Sequence, residues 1–270
     1  MNRPWLSHGG SARATATPSG YAGRMCGRYV TSRSGAELAT LLRADLGDGY
    51  NERVSYNVAP TTDVPVLLER PGDTGTPHRE LHTARWGLLP IWAKDKAQSA
   101  RAFNARSETV IEKPTFRSAV RTKRCAVPAD AYYEWWKDPE GNKRPYAVRR
   151  QDGQPHLFAG LYEWWRDKNA GDDEPWILSC TILTGPSPDH GHAGLLGELA
   201  GLHDRMPLPL SPETVEDWIK PGDLDKTDAE TLVERVRGEA LSVAADWEIY
   251  EVSRDVGNVR NNHPGLLEPV

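Results

Sequence analysis

Cys125-Ala126-Val127-Pro128-Ala129-Asp130-Ala131-Tyr132-Tyr133-Glu134-Trp135-Trp136 holds two short apolar runs separated by one acidic residue. Runs of this length, rich in aromatic and β-branched side chains, read as buried strands at 125–128 and 131–136. Asp138, Pro139, Gly141 and Asn142 follow directly, a composition that predicts a hairpin turn over 138–142 and a return strand over 144–149. Antiparallel pairing through tight turns is therefore expected at the centre of the chain.

Working outward, further strands are expected at 156–162 and 176–183 on the C-terminal side, and at 29–31, 64–69 and 81–88 on the N-terminal side. Ser34 with Glu37 three residues on forms a capping box for a helix carrying Leu38, Leu41 and Leu42, which Gly47 and Gly49 are expected to end. Residues 56–60 read as a turn-rich segment, 71–77 as a loop, and Ser107 as the cap of a short helix before Pro114. After Leu183 the Gly/Pro/His-rich stretch reads as flexible. Ser211-Pro212 opens a helix, 228–241 is a second amphipathic one, and 247–252 a last strand. Many short strands with a few peripheral helices predict an α+β single domain built on a curved, mainly antiparallel sheet or partial barrel.

The 270-residue chain suffices for one domain with a sizeable core. Residues 1–24 carry Arg3, Arg13 and Arg24, no acidic side chain and a small-residue run over 9–20, so this leader is expected to be disordered and absent or removed from the acting protein. Residues 25–270 then form the domain. Neither a secretory signal nor a stretch of transmembrane length is present, which points to a cytoplasmic protein with no membrane partner. Cys26, Cys125 and Cys180 show neither CxxC spacing nor a histidine cluster, so no metal or other cofactor is expected. A net charge of −5 excludes a uniformly basic nucleic-acid binder, yet residues 85–150 hold fifteen Lys and Arg against seven Asp and Glu. That surplus is readable as a phosphate footprint or as a solvated face.

Met25-Cys26-Gly27-Arg28-Tyr29 carries the most specific chemistry. Removal of what precedes Cys26 exposes an α-amine, with an ordinary pKa of about 7.7–8.0, beside a thiol. Such a pair condenses with an aldehyde and closes a five-membered thiazolidine, which no internal cysteine can do. Glu134, in an aromatic strand, is in surroundings that disfavour its charged form and suit a general acid. Asn104 and His203 are polar groups in loops. Taken singly each has a plainer reading: a strand glutamate facing water, a turn asparagine, a histidine bonded to a carbonyl.

In this order, however, the pieces resemble the SOS-response-associated peptidase family of abasic-site processing proteins. The resemblance rests on residues 25–29, Tyr56-Asn57-Val58-Ala59-Pro60, Arg85-Trp86-Gly87-Leu88-Leu89-Pro90, Asn104-Ala105-Arg106-Ser107-Glu108-Thr109, residues 129–135, His203-Asp204-Arg205-Met206-Pro207 and Val256-Gly257-Asn258-Val259. It implies covalent capture of abasic sites in single-stranded DNA, as at stalled replication forks in the DNA damage response. By resemblance Cys26 is the nucleophile, Asn104 orients amine and sugar, Glu134 shuttles protons and His203 assists. Arg28, Arg106 and Arg205 are expected to face phosphates, Asn57 to belong to the DNA site, and Pro60 and Trp92 to splay bases. Ile91 stands where better-known members carry a second tryptophan. The resemblance further implies autoproteolysis before Cys26 as a route to the free amine; a monomer associated with the nucleoid is expected. Two other readings stay open: a non-covalent single-stranded DNA-binding protein, and a cysteine peptidase acting on other proteins.

Overall fold

The protein is described from a computed structural model that covers residues 27–72, 77–167, 169, 171 and 175–270. The expected leader, Cys26 and the middle of the 71–77 loop lie outside the described residues.

Thirteen strands and five α-helices follow one another along these residues. The first half contributes β1 (Tyr29–Thr31), α1 (Gly35–Leu42), β2 (Asp45–Leu46), β3 (Ser55–Val58), β4 (Asp63–Arg70), β5 (His78–Trp86), β6 (Asn104–Arg106), α2 (Ala119–Thr122), β7 (Arg124–Ala129) and β8 (Ala131–Lys137). The second half adds β9 (Lys143–Arg150), β10 (His156–Trp165), β11 (Ile177–Pro186), α3 (Gly194–Leu202), β12 (Arg205–Pro207), α4 (Pro212–Ile219), α5 (Lys226–Ala244) and β13 (Trp247–Glu251).

Two sheets result. The smaller has the order β13-β9-β8-β1-β3, the larger β12-β11-β10-β7-β4-β5-β2. An additional parallel pairing of β11 with β5, Ser179 opposite Arg85, closes β11, β10, β7, β4 and β5 into a five-stranded ring. The curved, partly closed sheet expected from the sequence is thus present in an α+β fold. It is accompanied by a second sheet and by three parallel pairings, β11 with β5, β11 with β6 and β2 with β5.

Period-two alternation decides which side chains meet. Val64, Val66 and Leu68, Cys125 and Val127, and Phe158 point into one apolar cluster with Tyr132, Val148 and Trp247 of the smaller sheet. Their neighbours Leu67, Ala126, Ala159 and Leu161 point the other way, against Leu38 and Leu42 of α1, Trp218 of α4 and Val236 of α5. The far face of the smaller sheet, with Val30, Ala131, Tyr133 and Ala147, is covered by the C-terminal segment through Val252, Val256 and Leu266. Both sheets are therefore buried on both faces, which explains the nearly continuous apolar runs at 125–128 and 131–136.

Several local expectations are corrected. Helix α1 carries the capping box, but its end is set by Arg43 in the left-handed region (φ 52°) and not by Gly47 or Gly49. Residues 56–58 of the segment read as turn-rich lie in β3, because the partner strand β1 satisfies their backbone groups. Ser107 begins a series of turns over 107–112 instead of a helix, and the stretch after Leu183, read as flexible, contains α3, whose Leu199 and Leu202 are buried. Glycine-rich sequence was overridden there by the apolar seam the helix fills.

Candidate nucleic-acid capture site

The site is built at one end of the seam between the two sheets. In the β1–β8 ladder Tyr29 lies opposite Tyr132 and Val30 opposite Ala131, and the Tyr133 amide donates to the Arg28 carbonyl at 3.0 Å. The same register carried back sets Gly27 opposite Glu134. Strand alternation puts Glu134 on the face of Tyr132, toward the barrel, and it is buried at 4% exposure. Asn104 opens β6 and lies opposite Ile182 of β11, so it shares that residue's face and the same seam. Phe103 before it ties this strand to β1: the Trp86 ring meets Phe103 edge-on at 5.6 Å and Tyr29 at 4.9 Å, and Trp86 Nε1 donates to the Phe103 carbonyl at 2.8 Å.

His203 follows Leu202, another member of the seam, at the end of α3, which packs on β8 and β13. Its Nδ1 lies 2.8 Å from Asp204 Oδ1 and 3.1 Å from the Arg205 amide nitrogen. Both contacts fall on one ring nitrogen, which accepts from the amide or donates to the carboxylate but not both at once. Asn104 and Glu134 thus sit on strand faces that carry members of one apolar cluster, and His203 follows a helix residue of the same cluster.

Beside Gly27, on the opposite face of β8, lies an open cavity of about 400 Å³ lined by Gly27, Arg28, Ala59, Pro60, Thr61, Ala100, Phe103, Trp135 and Val259. Arg28 is anchored: Nη1 donates to Asn57 Oδ1 and to the Val256 carbonyl, both at 2.8 Å, and the guanidinium stands 5.9 Å from the Trp135 ring centroid. Burial lowers its pKa from the usual arginine value but leaves it charged near neutrality.

The other expected DNA residues separate into two groups. Pro60 lines the cavity, Arg106 is exposed, and Trp92 projects at 53% exposure beside Ile91 at 54%. The turn that carries this exposed pair is fixed from below, where the buried Trp165 donates its Nε1–H to the Ala93 carbonyl at 2.9 Å. Asn57 and Arg205, by contrast, are engaged inside the protein. Asn57 is 5% exposed, and its amide donates to the carbonyls of Val256, Asn258 and Asn261, which fixes the C-terminal segment. Arg205 forms a two-pronged pair with Glu108 at 2.5 and 2.8 Å and donates to the Thr184 carbonyl at 2.8 Å, and this pairing holds the Glu108 carboxyl down at about 2.

The basic stretch at 117–124 is also partly consumed. Lys123 pairs with Glu163, and Arg124 is buried under helix-end carbonyls. Sequence reasoning missed Thr61, Phe103 and Trp135 as cavity residues; each adjoins a residue of a motif, Pro60, Asn104 and Glu134, which was the available signal. Among the described residues no group of three or more His, Cys, Asp or Glu could hold a metal ion, and no helix is long and apolar enough to cross a membrane.

Comparison with known proteins places the chain in a family. The sequence profile described as SOS response associated peptidase (SRAP) matches residues 25–259. The abasic site processing protein YoqW of Bacillus subtilis is 33% identical over 246 residues, covering 90% of this chain and 99% of the relative. The abasic site processing protein YedK of Escherichia coli is 31% identical over 250 residues, covering 91% and 100%. Among solved structures, a Bordetella bronchiseptica protein at 25% identity superposes with a TM-score of 0.63, covering 84% of this chain and all of its own. A Bacteroides thetaiotaomicron protein at 24% identity reaches a TM-score of 0.69, covering 91% of this chain, and shows the shared fold. The motifs that frame the seam and the cavity fall within the matched span, and the chain belongs to the SOS response associated peptidase family.

Proposed function

We propose that this protein captures abasic sites in single-stranded DNA by covalent attachment through Cys26. The ring-opened deoxyribose presents an aldehyde. The Cys26 α-amine adds to it, the carbinolamine loses water to give an imine, and the thiol then adds to the imine carbon to close a thiazolidine. Ring opening and loss of water both need an acid that works near neutral pH, the task assigned to Glu134 with His203. Asn104 orients the amine and the sugar. Pro60, Trp92 and Ile91 hold bases apart beside the lesion through sequence-tolerant apolar and stacking contacts, while Arg28 and Arg106 attract the backbone.

One observation carries the reading: the Tyr133 amide bonds to the Arg28 carbonyl, so the β1–β8 ladder continued by one residue brings Gly27, the residue after Cys26, toward the buried Glu134, and Gly27 also lines the cavity. The chemistry requires a free α-amine. The acting form therefore begins at Cys26, through translation from Met25 with removal of the methionine or through a cut before Cys26.

The test is incubation of the protein, of measured intact mass, with a single-stranded oligonucleotide bearing one abasic site, followed by denaturing electrophoresis. A species beginning at Cys26 is expected to give an adduct that Cys26→Ala abolishes. An adduct formed equally by Cys26→Ala, or none from the species beginning at Cys26, overturns the proposal. Salt-sensitive binding without an adduct supports the non-covalent alternative.

A further inference from the structure

Two residues other than glycine adopt a positive φ among the described residues, Arg43 and Thr61. Arg43 closes a helix, where such a conformation is common. Thr61 has no such excuse. It is β-branched, has φ 72°, and occupies the third position of the turn Ala59-Pro60-Thr61-Thr62, where a type II turn favours glycine.

The surrounding backbone over-determines this conformation. The Thr62 amide closes the turn on the Ala59 carbonyl at 3.3 Å and the Thr62 hydroxyl donates to the same oxygen at 2.7 Å. The Thr61 amide donates to the Trp86 carbonyl at 2.7 Å, and the Trp86 amide returns a bond to the Thr62 carbonyl at 2.8 Å. Gly87, next along, has φ 139°, and a Cβ there would stand 2.4 Å from the Ser99 carbonyl oxygen, so the backbone after Trp86 is itself closely packed. A glycine at position 61 would satisfy all of these bonds without strain. The threonine therefore contributes something other than stability.

Its surroundings indicate what that is. Of the side chains lining the cavity, only those of Arg28, Thr61 and Trp135 can form hydrogen bonds. Arg28 is held by Asn57 and by the carbonyls of Val256 and Gly257. The Thr61 hydroxyl has no partner among the described residues, and Thr61 lines the same space as the fixed positive charge.

We infer that Thr61 is a DNA-positioning residue whose hydroxyl donates a hydrogen bond to a phosphodiester oxygen of the strand held in this cavity. Arg28 supplies the charge that brings the phosphate there, and Thr61 fixes its place relative to Gly27. This inference rests on the proposed capture of single-stranded DNA.

The experiment measures single-turnover adduct formation with an abasic-site oligonucleotide as a function of DNA concentration, for the wild type and for Thr61→Gly, Thr61→Val and Thr61→Ser, with a melting curve for each. Thr61→Val keeps the shape and loses the donor, and is expected to raise the half-saturating DNA concentration about tenfold, the usual order for a hydrogen bond to a charged group. The limiting rate should change much less. Thr61→Gly should show the same rise with an equal or higher Tm, which separates lost binding from lost folding, and Thr61→Ser should restore near wild-type half-saturation. Half-saturation unchanged in both Thr61→Val and Thr61→Gly, alongside a wild type that crosslinks, overturns the inference and leaves the capture reading standing. A wild type that begins at Cys26 and forms no adduct removes the capture reading itself.

Discussion

His156 shows how a single buried polar group makes stability depend on pH. It is 1% exposed, stacked on Phe158 with ring centroids 5.1 Å apart and met edge-on by Trp247 at 4.6 Å. Burial pushes its pKa down to about 3, against an ordinary value near 6.5. The unfolded chain therefore binds a proton between about pH 6.5 and 3 that the folded protein refuses, and stability falls as pH falls through that window. At pH 4.5 the loss relative to pH 7 is expected to be roughly 2–3 kcal/mol from this residue. His156→Phe, which keeps the stacking, should abolish that part of the decline in urea unfolding measured at the two pH values. Trp92 is the corresponding case at the surface. Trp92→Ala should leave the melting temperature unchanged and weaken binding of single-stranded oligonucleotides by about 1–3 kcal/mol, read by fluorescence anisotropy; unchanged affinity would remove it from the DNA surface.

At the scale of elements, α1 is specified locally at its start and strained at its end. The Ser34 hydroxyl accepts from the Glu37 amide at 3.3 Å, and the Ser34 amide donates to the Glu37 carboxylate at 2.8 Å. Ser34→Ala should cost about 1 kcal/mol. Arg43 closes the helix with φ 52° and ψ 51°, a conformation that glycine adopts without penalty. Arg43→Gly is expected to stabilise the protein by up to about 1 kcal/mol, an effect of opposite sign to Ser34→Ala in the same melting experiment. The start of α1 was legible because Ser34 and Glu37 stand three residues apart in the sequence. Its end was not, because an arginine in a glycine conformation carries no composition signal. Helix α3 escaped for the opposite reason: its glycines and histidine-rich approach read as loop, whereas Leu199 and Leu202 acquire their partners from strands distant in the chain.

Across the whole molecule, Arg124 joins the helical layer to the barrel. It begins β7, is 5% exposed, and gives its donors to the carbonyls of Val120, Arg121, Trp218, Lys220 and Gly222, the last turns of α2 and α4 and the segment beyond. Arg124→Met would leave those acceptors buried without donors, and a loss of about 3 kcal/mol is expected by urea unfolding; a loss under 1 kcal/mol would show that water replaces the guanidinium. In sequence this arginine was one more charge in a basic stretch. Its role as a structural tie, like those of Arg205 and Asn57, depends on carbonyls and carboxylates brought from far along the chain. What depends on neighbours was readable along the chain: strand and turn positions around Cys125 to Asn142, the caps of α1 and α4, the α+β class, and the ordered motifs that mark the family. Long-range packing settled how β5 and β11 close the ring, that Asn104 and Glu134 lie on strand faces of one apolar cluster, which arginines remain at the surface, and that Thr61 is held in a glycine conformation. The physical reason is that hydrogen-bond satisfaction and packing are settled between residues remote in sequence, whereas propensity and capping act within a few residues.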